Sequence, residues 1–286
     1  MNAAFLDRLS RRDVRRRYTN RFMHGILGIC AVLAITPLVS VFAYVVERGF
    51  GGVNWAFFTE LPKPVGEEGG GMANALLGSA MLLGLASLVG IPWGIAAGVY
   101  LAEYGRGKLA HLIRFVTDVL TSVPSIIVGL FIYGLMVVSM RRFSVLAGAA
   151  ALAVIMVPIV TRTTEEILKL IPAHIREAGL ALGIPRWKVT LMIVMRGASS
   201  GITTGVMLAV ARVAGETAPL LLTAFSNRFW ARGLDQPVAS LPVQIYNYAI
   251  SPYDDWHRQA WAAALVLVLF VFVLNLLTRL ALRSTR

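Results

Sequence analysis

Two full charges, Arg212 and Glu216, stand four residues apart inside the apolar stretch ARVAGETAPLLLTA. An arginine at the centre of a bilayer costs about 2.5–3.5 kcal/mol on insertion scales. A helical ion pair at this spacing returns only about 0.2–0.5 kcal/mol, and the arginine-first order is the weaker one. Helix stability therefore does not account for the pair. A guanidinium presents a planar fork that meets two oxygens of an oxyanion at once. Arg212 is thus a candidate to attract an anion and replace part of its hydration shell. Glu216 has two readings: an acceptor for the O–H of a protonated oxyanion, or a clamp that holds Arg212 and releases it as the anion passes. A buried bridge that only fixes packing stays open beside them.

The neighbouring residues fit a path. Thr217 and Thr223 bring hydroxyls, and Pro219 deprives the Gly215 carbonyl of its helical partner. In TSVPSIIVG, Pro124 does the same to Leu120, beside Thr121, Ser122 and Ser125. Irregular backbone at membrane depth is tolerated where it is buried in protein or lines a wet cavity. Arg212, Glu216, Thr217, Ser122 and Ser125 are the candidate path residues, with Pro124 and Pro219 as helix kinks. Kinked helices with hydroxyls satisfied locally are the alternative. A path must also release its anion, which suits one arginine better than a cluster.

Other chemistries lack their parts. His24, His111, His174 and His257 are scattered, and Cys30 stands alone, so neither a metal site nor a disulfide framework is expected. No nucleophile–base set marks an intramembrane enzyme. The nearest approach to a phosphate-binding loop is AEYGRGKL, with Leu109 after Lys108 and Ala102 where a glycine is required. ATP hydrolysis is not expected of this chain.

These residues must be held by membrane helices. The 286 residues are 57% hydrophobic and 15% charged, with mean hydropathy +0.70; soluble domains carry about 25% charge. Apolar runs predict six spans, at about 22–46, 73–101, 112–138, 145–161, 200–225 and 258–280. The first is too long for a signal-peptide core and is read as retained. The net charge is +12. Much of it lies in RRDVRRRYTNR, just before the first span, where a cytoplasmic anchor carries it. No zinc finger, RNP motif or aromatic–basic interleaving points to nucleic acid. Basic residues then collect in 102–114, 162–199 and the tail, which predicts a cytoplasmic N-terminus. Arg141 and Arg142, on the opposite side, run against the trend.

The expected division is a basic tail at 1–21, a first span with its outer loop at 22–71, and a five-helix core at 72–283. Tyr246, Tyr248, Tyr253, Trp256 and Trp261 gather in or near the outer loop 226–257, as an interfacial belt or a docking surface for an external partner. Gly90, Gly94 and Gly98 form one small face, and Gly201 and Gly205 another. Such faces let helices approach closely, within this chain or against a membrane partner.

The inner loop 162–199 has its own order. Pro172 suits a first helical turn, Ile175, Ala178, Gly179 and Leu182 repeat at helical spacing, and Gly183 takes the stop position. This short amphipathic helix lies flat on the bilayer or fits a partner's groove.

The stretch REAGLALGIPRWKVTLMIVM resembles the Glu-Ala-Ala loop of ABC-importer permeases, with Glu177, Ala178, Gly183 and Ile193 at matching places. Gly179 replaces the second Ala, and Met195-Arg196 stands where Leu-Pro is expected. TSVPSIIVGLFIY and ARVAGETAPLLLTA are similar to phosphate-importer permeases, and the motif order and long last outer loop resemble PstA more than PstC subunits. The resemblance covers about residues 72–283. It implies an all-α integral membrane fold of the MetI-like, type I importer class, with a cytoplasmic coupling helix. It further implies a heterodimer with a PstC permease, a PstB ATPase dimer holding ATP and Mg2+, and an external phosphate-binding protein, PstS. Glu177, Ala178, Gly179 and Gly183 would form the ATPase-coupling element, and the chain would sit in a bacterial inner membrane. An ion-driven oxyanion transporter or channel, or a sulfate or molybdate permease, stays open as an alternative.

Overall fold

The computed structural model describes residues 3–64, 66–67 and 69–283, with side chains described from residue 16 to 276 and at 280, apart from 65 and 68. Arg11, Arg12 and Arg15 of the N-terminal basic run, and the arginines of the C-terminal tail, lie outside the described side chains. Residues 1–48 and 49–286 form separate units. The described residues of the first unit lie within α1, Ala3–Phe50, and its described apolar side chains are exposed apart from half-buried Val45. Pro37 interrupts its hydrogen-bond ladder.

In the second unit the order is α2 (Trp55–Thr59), α3 (Ala73–Tyr104), α4 (Lys108–Ser122), α5 (Ser125–Met140), α6 (Val145–Lys169), α7 (Ala173–Ala181), α8 (Arg186–Ala214), α9 (Ala218–Thr223), α10 (Leu241–Ala249) and α11 (Asp254–Arg283). Among the described residues, five helices are long and apolar enough to cross a membrane. They become six when α4 and α5, bent by 105°, count as one broken span.

Glycine decides how the core assembles. A Cβ at Gly94 would lie 2.6 Å from Val160 Cβ, and one at Gly98 would lie 2.6 Å from Thr164 Cβ. The ladder on α3 thus seats α6 in parallel. From its other side Gly201 meets Ile167 and Gly205 meets Thr163, so α8 runs antiparallel to α6. Both small faces are spent inside this chain. The helix they grip, α6, is the most buried: Val145, Leu152, Met156, Val160 and Leu168 are at most 2% exposed.

Three spans differ from the sequence reading. The third breaks at Pro124, because the proline offers no amide and α4 ends at Ser122. The fourth runs on to Lys169 instead of stopping at 161, since TRTTEEILK holds no breaker and carries the i,i+4 pairs Arg162–Glu166 (2.8 Å) and Glu165–Lys169 (2.6 Å). The fifth starts at Arg186 and ends at Ala214, not at 200–225. Nothing in RWKVTLMIVMRG stops a helix, so Met195-Arg196 is passed by continuous helix after a π-helical turn at Val189–Val194.

Ser144 caps α6: its Oγ accepts from the Ala147 amide at 3.1 Å, fully buried. Ser144→Ala is expected to lower stability by about 0.5–2 kcal/mol, measurable as an earlier thermal transition in detergent with the helix content kept.

The end of the bundle where α6 begins is closed by the 226–257 segment. The amides of Ser144, Val145 and Leu146 donate to the carbonyls of Thr223, Gln236 and Leu234. Arg142 pairs with Asp235 at 2.9 Å, so one of the two charges that ran against the orientation trend is matched locally. Tyr248 stacks on Trp256 with centroids 4.3 Å apart. Burial there pushes the Tyr248 phenol above its ordinary range, with Gln244 and Arg228 pulling against it. Tyr246 and Tyr253 remain exposed.

Candidate functional site

Arg212 is in the last turn of α8, where the helix stops at Ala214. Gly215, Glu216 and Thr217 form the link to α9, and Pro219 stands in the first turn of that short helix. Pro219 is therefore a start residue, where a missing amide costs nothing, and not a kink within a continuous span. It packs on Gly129 of α5, where a Cβ would come within 2.6 Å of Pro219 Cα. The broken pieces of the two spans thus lie against each other.

Around Arg212 the chain forms a narrow crevice with Leu120, Thr121, Val123, Ser125, Val128, Ile155 and Ile159. Ile155 and Ile159 flank the middle of α6, which puts the guanidinium's helix end at mid-span depth. The crevice holds about 10 Å³, room for at most a single water. An oxyanion does not fit inside it. Arg212 is exposed, so its charge is presented outward from this chain, toward whatever covers that face.

Arg212 and Glu216 are not ion-paired. Among the described residues neither side chain has a hydrogen bond or salt bridge, and the end of α8 removes the helical spacing on which a pair would depend. The clamp and packing-bridge readings of Glu216 lose their geometry.

The hydroxyls separate. Ser125 is half-buried and lines the crevice with Arg212, while Thr121 lines it and donates to the Thr117 carbonyl at 2.8 Å. Ser122 is exposed, donates to the Asp118 carbonyl at 3.0 Å, and is not in the crevice wall. Thr217 and Glu216 are half-buried in the α8–α9 link. Thr223 is fully buried and donates to the Pro219 carbonyl at 2.7 Å, which takes it out of any path. Pro124 caps the restart of the third span; the Ile127 amide donates to the Pro124 carbonyl at 2.9 Å, while the amides of Ser125, which lines the crevice, and Ile126 precede any helical acceptor.

The loop 162–199 shrinks to a tight unit around α7. Pro172 precedes the helix, and Gly183 ends it at φ +75°, a conformation that a side chain would strain. Gly179 packs under Val189 and Ile193, where a Cβ would approach Val189 Cγ2 to 2.9 Å. That contact explains glycine at the position where the motif has its second Ala. The amphipathic face differs from the expected one: Ile175 and Gly179 turn inward, but Ala178 and Leu182 are exposed with Glu177. Leu170, Leu182 and Trp187 are 75%, 79% and 55% exposed, so this segment presents apolar side chains as well as Glu177.

Beneath α7 lies an ionic cluster that the sequence reading missed. Glu103, in a π-helical turn that closes α3, accepts both Arg176 Nε (2.9 and 3.1 Å) and Nη2 (2.6 Å), with 4% of its side chain exposed. Glu165, 1% exposed, accepts from Arg114 at 2.7 Å and Lys169 at 2.6 Å. A carboxylate in the apolar run YLAEYG was the available signal. Its partner, 73 positions on, was not.

A family model described as "Binding-protein-dependent transport system inner membrane component" matches residues 90–286. The "Phosphate transport system permease protein PstA" of Yersinia pestis is 45% identical over 97% of this chain and 95% of its own length. That of Haemophilus influenzae is 47% identical over 93% and 94%. The chain belongs to the PstA permease family. Among solved structures, the permease is similar in fold to a chain of the MetNI methionine ABC transporter, with TM-score 0.63 and 18% identity over 75% of this chain and 97% of that one. It is likewise similar to an amino acid ABC transporter, with TM-score 0.58 and 17% identity. The fold is that of an ABC importer permease, a multi-pass inner-membrane component whose relatives are named as permeases and not as ATPases.

Proposed function

We propose that this permease forms half of the path of an ATP-driven importer for inorganic phosphate, with Arg212 offered to the anion at mid-membrane. The observation that carries this reading is an exposed, unpaired arginine beside two helix breaks at the middle of the bundle. A bare guanidinium in an apolar region is costly unless it meets water or an anion. The restart of α5 adds amides of the kind that favour an anion at a helix N-terminus. Ser125 and Thr121 supply hydroxyls at the same place, and Glu216 and Thr217 flank the α8–α9 link. Ser122, exposed next to Thr121, stays a path candidate without a place in the crevice wall.

The other half comes from a homologous permease of the PstC type. Its surface faces Arg212, completes a site that the 10 Å³ crevice does not enclose, and leaves the rest of the bundle to membrane lipid. The 162–199 region, with Glu177, Ala178, Gly179 and Gly183, docks a PstB-type ATPase dimer that holds ATP and Mg2+; the exposure of Leu170, Leu182 and Trp187 supports that contact. A PstS-type binding protein delivers phosphate to the opposite end, where Tyr246 and Tyr253 are exposed. The N-terminus is then cytoplasmic in a bacterial inner membrane. The working division is the tail at 1–21, the first span and outer loop at 22–71, and the core at 72–283.

Vesicles holding the four components, given labelled phosphate and, separately, sulfate, test the substrate. Phosphate uptake driven by ATP, with sulfate at background, is expected. Sulfate carried as well as phosphate would move the assignment to a general oxyanion importer, and uptake independent of ATP would sink it.

A further inference from the structure

We infer that the turn Tyr100–Tyr104 is the joint through which movement of the coupling helix reaches the wall of the path, with Glu103, Arg176 and Arg114 as its positioning residues. The inference rests on the importer reading above and adds to it the residues that transmit the stroke.

Three separate parts converge on this turn. From α7, Arg176 grips the Glu103 carboxylate with two nitrogens and also donates to the Ile171 (2.6 Å) and Leu168 (2.8 Å) carbonyls. One guanidinium therefore ties the coupling helix to the ends of both α3 and α6. From the start of α8, Arg186 donates to the Glu103 carbonyl and lies over the Tyr104 ring, 5.0 Å from its centroid. From α4, Arg114 donates to the Leu101 carbonyl at 2.9 Å while holding Glu165 of α6. The turn itself is a π-helical segment, a geometry that departs from the ordinary ladder and is frequent at functional sites.

The far arm of this joint reaches the path. About two helical turns beyond Arg114 on α4 stand Leu120 and Thr121, which wall the crevice of Arg212. Pro124 follows directly, so α4 can shift without dragging α5 through a continuous ladder. Charge-assisted bonds to a planar fork are directional. A displaced Arg176 therefore carries Glu103 with it, the Leu101 carbonyl moves Arg114, and α4 moves against Arg212.

The test uses the complete four-component complex in vesicles, reading complex recovery, ATP hydrolysis and phosphate uptake. The double variant Glu103→Gln/Arg176→Gln removes both charges and leaves no orphan charge buried. Arg114→Lys keeps a cation for Glu165 but loses the second donor to Leu101. For both, normal recovery of the complex and continued hydrolysis are expected, with phosphate carried per ATP falling at least fivefold in the double variant and less in Arg114→Lys. Equal losses of hydrolysis and uptake, or wild-type uptake per ATP in the double variant, would overturn the joint. So would failure of both variants to assemble, which would make the cluster a folding element only. Absence of phosphate uptake by the wild-type complex would instead count against the importer reading on which the joint rests.

Discussion

Arg212→Gln is expected to cut ATP-driven phosphate uptake about 10–100-fold while leaving the complex assembled. Hydrogen bonds to charged groups contribute about 1.5–3 kcal/mol, and each 1.4 kcal/mol is tenfold. Assembly survives because, among the described residues, the Arg212 side chain makes no hydrogen bond or ion pair, and it is exposed. Arg212→Lys keeps the charge but not the planar fork, so it falls between wild type and Gln. Glu216 provides the control. Because it does not pair with Arg212, Glu216→Gln is expected to lose less uptake than Arg212→Gln, and the double variant to show no rescue. Equal loss in the two single variants, relieved in the double, would restore the ion-pair reading. Unchanged uptake in an assembled Arg212→Gln complex would place the path elsewhere.

Gly94→Val is expected to damage the fold itself. The added Cβ would lie 2.6 Å from Val160 Cβ, 2.8 Å from Val160 Cγ1 and 3.1 Å from the Val157 carbonyl oxygen. The obstacles are the fully buried Val160 and the backbone of α6, the helix held from both sides, and neither can swing away. Overpacking of this kind costs about 1–3 kcal/mol, occasionally more. At about 2–4 °C per kcal/mol for a chain of this size, the thermal transition in detergent should drop by several degrees. Gly84→Val is the matched control, since nothing lies within 4 Å of a Cβ there. An equal drop in both variants would mean that lost glycine, not the α3–α6 contact, sets the effect.

The same two residues mark how far the sequence reaches. The small-residue ladder at Gly90, Gly94 and Gly98 was visible from spacing alone, but its partner was not. Spacing says that a face is small; which helix fills it depends on how six apolar helices are arranged. Arg212 was legible for a similar reason, because the cost of a charge in apolar company is local and independent of fold. Its relation to Glu216 was not, because whether two charges four apart meet depends on the helix continuing between them, and it ends at Ala214.

By itself the sequence determined the membrane class, the number of crossings counted with one broken span, the short helix at 173–181 and its glycine stop. It also determined the family motifs that carry the functional reading. Each of these follows from composition, period or backbone preference within a few residues. Tertiary structure alone decided that Pro219 starts a helix instead of kinking one, and that Thr223 is locked away. It also decided that Glu103 and Arg176, 73 residues apart, share one buried bond network. Those outcomes depend on contacts between segments distant in the chain. Local patterns contain no information about such contacts until the helices pack.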